Sequence, residues 1–281
     1  MDMLTTIRTR RETAVRAMQL ARPIEEFKAD LVNRAARRSF AKALNQPGRR
    51  IIAELKQASP SRGRLIEEYC PTQLAREYEK AGAAALSVLT EPDFFLGSLE
   101  DLTRTKNACT LPVLQKDFVF DPYQIYQGAL AGADAVLLIA SMLNENELFM
   151  LYETAIELEL EPVVEIHYES EIAIAKRLPS GTLIGINNRN LGTFRTDVQH
   201  ALTLIDPILE SGHKVIVFSG IHSNKDIDMF ERKTKCFLVG EHLITASDRT
   251  RAMRQLLHND SDTQSSKEYA ADKHTALGAR S

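Results

Sequence analysis

From about residue 50 onward the chain alternates between short aliphatic runs and longer amphipathic stretches. The runs are Ile51–Ala53, Ala84–Leu89, Pro112–Leu114, Ala135–Ile139, Pro162–Ile166, Leu183–Ile186, Val215–Phe218 and Phe237–Val239. They are brief, often β-branched and lack polar alternation, which predicts strands buried on both faces, as in a parallel sheet. The stretches between them carry apolar residues at helical spacing. Over about Glu145–Glu159, Leu148, Leu151, Tyr152, Ala155 and Leu158 share one face. The other predicted helices lie near Thr72–Ala81, Leu99–Lys106, Tyr123–Ala131, Glu169–Lys176, Val198–Leu209, Asn224–Phe230 and Leu243–Leu257. Eight strands, each followed by a helix, predict an α/β fold closed as a (β/α)8 barrel. An open doubly wound sheet is the alternative, but no G-x-G-x-x-G follows any run. Gly82 and Gly132, each after an alanine and just before a strand, read as helix C-caps.

Ahead of the barrel, residues 3–46 read as helical. Leu4, Ile7, Arg11, Val15 and Met18 fall at helical spacing, a second segment runs from about Ile24 to Leu44, and Pro47-Gly48 ends it. Residues 1–257 are therefore expected to form one barrel domain with a helical extension over 1–48. The tail, 258–281, is rich in Asn, Asp, Ser, Thr, Gln and Lys, with Leu277 its only large aliphatic residue, and is expected to be disordered.

Composition narrows the function classes. A chain of 281 residues that is 44% hydrophobic and 26% charged can fill one barrel. A net charge of −3 gives no overall attraction to nucleic acid or membrane. Residues 1–50 nevertheless hold twelve Lys/Arg against five Asp/Glu. A transit peptide is Arg-rich, but Glu12, Glu25, Glu26 and Asp30 argue for a basic helix pair packed on the barrel instead. No apolar h-region follows Met1, and no run reaches the roughly 20 apolar residues of a membrane span. Cys70, Cys109 and Cys236 are odd in number and lack CxxC spacing, so they read as reduced thiols of a cytoplasmic protein.

The chemistry sits where the runs end. Glu54-Leu-Lys56 with Ser59-Pro-Ser61, Lys116-Asp-Phe118, Glu165-Ile-His167, Asn187-Asn-Arg189, Ser219-Gly220 and Gly240-Glu241 each put polar residues at a strand end. Charges there cost desolvation unless they serve a purpose, and barrel active sites are built at strand ends. Ser219-Gly220 and Gly240-Glu241 close the seventh and eighth strands, where barrels often bind phosphate. Lys56, Lys116 and Arg189 imply an anionic substrate. Glu54 and Glu165 serve either as salt-bridge partners or as half of an acid/base pair, and Asn187 adds a neutral donor and acceptor. His167 reads as a loop residue. His213, His222 and His242 lack metal-site spacing, so no metal is called for.

These phrases together resemble the indole-3-glycerol-phosphate synthase family over about residues 3–257. The matching phrases are Ile51-Ile-Ala-Glu-Leu-Lys-Gln-Ala-Ser-Pro-Ser61, Leu89-Thr-Glu91, Leu114-Gln-Lys-Asp-Phe118, Ala135-Val-Leu-Leu-Ile139, Val164-Glu-Ile166, Gly185-Ile-Asn-Asn-Arg-Asn-Leu191, Ser219-Gly-Ile221 and Leu238-Val-Gly-Glu241. The resemblance implies a carboxy-lyase of tryptophan biosynthesis that needs no cofactor and takes a sugar-phosphate substrate. It would act as a monomer or beside another tryptophan-pathway enzyme. It further implies Lys116 as general acid, Glu165 as general base, and Asn187 orienting a leaving hydroxyl. Lys56 would bind anionic groups or act as second acid, with Glu54 holding the lysines charged and oriented. Ser59 and Arg189 would meet the substrate's carboxylate or phosphate, and Ser219, Gly220, Gly240 and Glu241 the phosphate. Phe118 and Leu138 would wall the aromatic ring.

Three departures stand out. Phe218 occupies a position where the family usually has Glu, which exchanges a carboxylate in the mouth for a ring. His242 stands where Ser is common, and Thr245 where a basic residue is common. Phe218 supports one alternative, a paralogue for a related arylamino sugar phosphate; the others are a non-catalytic sugar-phosphate binder and an aldolase using Lys116 as Schiff-base nucleophile.

Overall fold

Short strands with apolar side chains on both faces cannot offer either face to water, so they close on one another and are wrapped by helices. The structure, a computed structural model, describes residues 3–32, 34, 36–189 and 196–258. The barrel consists of β1 (Arg50–Leu55), β2 (Ala85–Leu89), β3 (Val113–Lys116), β4 (Ala135–Ile139), β5 (Glu161–Ile166), β6 (Leu183–Asn187), β7 (Lys214–Phe218) and β8 (Cys236–Val239). Neighbours in sequence pair in parallel, and β8 closes on β1 with Ile51 opposite Phe237. The expected (β/α)8 barrel with an N-terminal helical extension is the fold observed.

Period-two alternation divides the strand residues between two cores. Ile51, Ala53, Leu55, Val136, Leu138, Val164, Ile184, Ile186, Val215 and Val217 pack outward under the helices. Ile52, Leu114, Leu137, Ile139, Val163, Ile216, Phe218 and Leu238 fill the barrel. The inward parity continues to Glu54 and Lys56, Lys116, Glu165, Asn187 and Gly240, so one face of the pleat delivers the polar strand ends to one mouth.

The extension closes both ends of this barrel. At the N-terminal end α3 (Phe40–Leu44) inserts Phe40 and Leu44 against the interior cluster, and the Glu161 carboxylate accepts the Phe40 N–H at 3.0 Å. At the opposite end α1 (Met3–Ala21) buries Ile7, Arg11 and Val15. Ile7 joins Phe118 and Ile139 in the interior cluster, and Arg11 Nη2 lies 3.1 Å from Asp117 Oδ2 with both side chains buried. The second segment, expected as one helix over Ile24–Leu44, is instead α2 (Ile24–Leu31) and α3. Between them Arg37 donates to Ala129 O at 2.7 Å and Arg38 to Leu111 O at 2.9 Å. The Arg38 N–H goes to Asp134 Oδ1 at 2.8 Å, a tertiary acceptor in place of the carbonyl a continuous helix would supply.

The outer helices are α4 (Pro71–Ala81), α5 (Leu99–Ala108), α6 (Pro122–Ala131), α7 (Glu145–Glu157), α8 (Ile172–Ala175), α9 (His200–Leu209), α10 (Asn224–Asp228), α11 (Glu241–Ile244) and α12 (Arg249–Leu257). The single helix expected over Leu243–Leu257 is two, because Asp248 caps α12 by accepting the Arg251 N–H at 2.8 Å. Among the described residues, no helix is long and apolar enough to cross a membrane. The tail expected to be disordered lies, beyond His258, outside the described residues.

Phe40→Ala removes the plug at the closed end and leaves a cavity among fully buried side chains. The unfolding free energy is expected to fall by about 3–5 kcal/mol, read as a lower urea midpoint with an unchanged slope.

Candidate active site

A cleft opens at the C-terminal ends of the strands, under α1. It is lined by Glu54, Lys56, Ser59, Lys116, Phe118, Glu165, Asn187, Arg189, Ser219, Gly220, Gly240 and Glu241, which together are every residue singled out above except Leu138. Leu138 is fully buried in the outer core under the helices. Its neighbour Ile139 faces the mouth instead. β4 ends without a polar residue to reveal its parity, so the period-two phase of this strand was open to a one-residue error.

At the centre lies Glu165, 1% exposed. Lys116 Nζ is 3.2 Å from its Oε2, while Asn187 Nδ2 donates to its Oε1 at 3.0 Å and His167 Nε2 lies 3.1 Å from the same oxygen. Burial favours the neutral acid, but Lys116, His167 and Asn187 outweigh it and hold the carboxyl far below the usual carboxylate range. Asn187 is itself fixed, its Oδ1 accepting the Arg189 N–H at 3.0 Å. A second pair stands across the mouth, with Lys56 Nζ 2.5 Å from Glu54 Oε1. Glu54 thus partners Lys56, whereas Lys116 belongs to Glu165. Gly240 permits the Glu54–Lys56 pair, because a Cβ there would collide with Glu54 Oε1.

At the far end of the cleft a strained backbone turn lies beside a cluster of charged side chains. Ser219 and Gly220 have φ of 64° and 81°, a turn that costs a non-glycine residue strain and is found chiefly at functional sites. Asn188 Nδ2 holds this turn by donating to Ser219 O at 3.1 Å. A Cβ on Gly220 would crowd Thr196 and Val198, so only glycine fits. Glu241 is bound by Arg62 and lies 3.5 Å from Arg189. Burial opposes its charge, but Arg62, Arg189 and Lys56 lower its pKa. The Ser59 Oγ is buried and, among the described residues, has no hydrogen-bond partner. His222 and His242 face one another at this rim, ring centres 5.9 Å apart. Among the described residues no group of three or more His, Cys, Asp or Glu is placed to hold a metal ion.

Phe218 points into the barrel. It is 1% exposed, its ring occupies space left by the missing side chain of Gly185, and Lys116 Nζ stands 5.6 Å from the ring centre. The apolar side of the cleft comprises Phe118, Ile139, Phe95 and, from α1, Met3, Leu4 and Ile7. The sequence marked the stripe on α1 as a packing face but held no sign that this face covers the mouth. His167 was the other omission. It follows β5 outside the regular strand, yet its side chain keeps the inward parity of Val163 and Glu165.

The family profile described as indole-3-glycerol phosphate synthase matches residues 4–256. A relative of that name from Desulfosudis oleivorans is 42% identical over 91% of this chain and 98% of its own. One from Bordetella pertussis is 45% identical over 75% of this chain and 82% of its own. A third, from Desulforamulus reducens, is 38% identical over 91% and 97%. Among solved structures, a mutant tryptophan synthase alpha-subunit from Pyrococcus furiosus aligns with a TM-score of 0.57 at 11% identity, over 75% of this chain and 99% of that one. That likeness is one of fold.

Gly240→Ala presses a methyl group against Glu54 and is expected to destabilise the protein by about 1–3 kcal/mol. The same substitution in a Glu54→Ala background is expected to cost clearly less, and a thermodynamic cycle from denaturant unfolding measures the difference.

Proposed function

The chain belongs to the indole-3-glycerol phosphate synthase family, and on that premise we propose how its mouth carries out the reaction. It is a carboxy-lyase of tryptophan biosynthesis. It closes the pyrrole ring of 1-(2-carboxyphenylamino)-1-deoxyribulose 5-phosphate, with loss of CO2 and water, to give indole-3-glycerol phosphate. The observation that carries the mechanistic reading is the Lys116–Glu165–Asn187 group, with a half-buried ammonium on a buried carboxylate.

Lys116 protonates the ketone oxygen as the ring carbon bearing the carboxylate attacks the ketone carbon. The bond to CO2 then breaks and its electron pair restores the aromatic ring. Glu165 next takes a proton from the closed ring, and the hydroxyl made from the ketone oxygen leaves as water. Lys56 supplies the proton that turns the departing hydroxyl into water, and Asn187 orients the leaving group. The resting Lys116–Glu165 contact means that substrate separates the two, Lys116 turning to the ketone oxygen and freeing Oε2 as a base. Glu54 keeps Lys56 oriented through their 2.5 Å contact. Arg189 and Ser59 meet the substrate's carboxylate or phosphate. The Ser219-Gly220 turn and the Gly240-Glu241 segment receive the phosphate. Phe118 walls the aromatic ring, together with Ile139 and Phe95 in place of Leu138.

Phe218 leaves Glu165 as the base beside Lys116, with a ring face toward the ammonium. A cytoplasmic setting belongs to the same reading, since Cys70, Cys109 and Cys236 are free thiols, the usual state in a reducing compartment.

Indole fluorescence during turnover of carboxyphenylamino-deoxyribulose phosphate tests these roles. Lys116→Met and Glu165→Gln are each expected to lower kcat about 10²–10⁴-fold, with smaller changes in KM. Retained turnover in either variant removes that residue from its role. The native chain is expected to turn over with Phe218 in place. If turnover appears only in Phe218→Glu, the pocket serves a different arylamino sugar phosphate.

A further inference from the structure

We infer that His167 is a positioning residue for Glu165: its Nε2 edge holds carboxylate oxygen Oε1, so that Oε2 alone is presented to the reacting substrate. The inference rests on Glu165 being the base.

Geometry carries it. His167 Nε2 lies 3.1 Å from Glu165 Oε1, with the two side chains 2% and 1% exposed. Burying an imidazole without a polar partner is costly, and an aliphatic side chain would fill the same space more cheaply. Among the described residues neither ring nitrogen completes a hydrogen bond, and Glu165 Oε1, 3.1 Å from Nε2, is the polar atom the ring approaches. Asn187 Nδ2 donates to the same Oε1 at 3.0 Å. The two carboxylate oxygens therefore differ, with Oε1 between the Asn187 amide and the Nε2 edge of His167, and Oε2 against Lys116. When Lys116 turns to the ketone, Oε1 keeps its partners and Oε2 becomes the free acceptor.

The backbone of His167 is held as firmly as its ring. Its N–H and that of Tyr168 both donate to Glu171 Oε2, and His200 Nε2 lies 2.6 Å from its carbonyl oxygen. Glu171 comes from the 3-10 turn that follows the strand and His200 from the start of α9. The Tyr168 ring stands 6.0 Å from the imidazole. The titratable groups around His167 are thus Glu165, Glu171, Lys116 beyond Glu165, His200 and Tyr168. A donor on Oε1 stabilises the ionised carboxylate, so its loss raises the pKa of Glu165 and leaves the base protonated to higher pH.

The test is the pH profile of kcat and KM, by indole fluorescence, for the full chain and for His167→Leu, His167→Gln and His167→Asn, with Glu165→Gln as reference. A Gln amide nitrogen reaches about as far as Nε2, whereas that of Asn stops near Nδ1. His167→Leu is expected to lower kcat about 10–100-fold, the range for loss of an orienting partner. KM should change little, and the acidic limb should move to higher pH. His167→Gln is expected to recover most of kcat and the original limb, and His167→Asn to resemble Leu. Wild-type kcat and limb in His167→Leu overturn the inference. So does equal activity of the Gln and Asn variants, which decides the matter even if His167→Leu does not fold. Turnover surviving in Glu165→Gln would instead strike at the base assignment itself.

Discussion

A buried carboxylate in contact with a half-buried ammonium is the constraint around which the mouth is arranged. Glu165 at 1% exposure has almost no water, so its charge persists only because Lys116, Asn187 and His167 surround it. Such a pair contributes little net stability, since desolvation offsets the attraction. It does place a proton-bearing ammonium and a carboxylate side by side in a recess largely withdrawn from water, where charge interactions are strong and geometry is fixed. The Glu54–Lys56 pair repeats the arrangement across the mouth, with Gly240 making room for it.

Those pairs need the barrel closed at both ends, and the N-terminal extension serves both. α3 fills the N-terminal end with Phe40 and Leu44, which excludes water from the interior layers below the site. α1 brings Met3, Leu4 and Ile7 to the opposite end. Its link to the barrel is the buried Arg11–Asp117 pair, and Asp117 also accepts the Thr90 hydroxyl hydrogen at 2.8 Å. Asp117 follows directly on Lys116, so the covering helix and the acid are tied to the same turn of chain. The basic excess of the first fifty residues thus resolves into specific partners: Arg8 with Glu147, Arg11 with Asp117, Arg38 with barrel carbonyls, and Arg49 with Asp228 and Glu231.

Phe218 shows how a bulky ring is accommodated by a neighbour's shape. The ring lies where Gly185 has no side chain, and the residue after next on the same strand is Asn187, whose backbone is paired with Phe218. The wall beside Lys116 is therefore apolar and aromatic, and the ring's negative face meets the ammonium at 5.6 Å.

The order of elements, the barrel and most of the mouth were legible in the chain itself. Aliphatic runs spaced by amphipathic stretches leave few ways to bury both faces, and polar residues ending an apolar run declare where the chemistry is. Glu54, Lys56, Lys116, Glu165 and Asn187 were visible because a charge or amide is conspicuous at the end of such a run. β4 carried no such marker, so the choice between Leu138 and Ile139 was made only by strand register, which decides the face each side chain takes. The break between α2 and α3 depended on carbonyls some 70 to 90 residues away along the chain, out of reach of local propensity. Which face of α1 covers the mouth, the space Gly185 yields to Phe218, and the turn of His167 toward Glu165 are all contacts between distant segments. Local sequence determined what each segment could become; closure of the barrel decided which side chains would meet, because only the closed sheet converts alternation along a strand into convergence on one point.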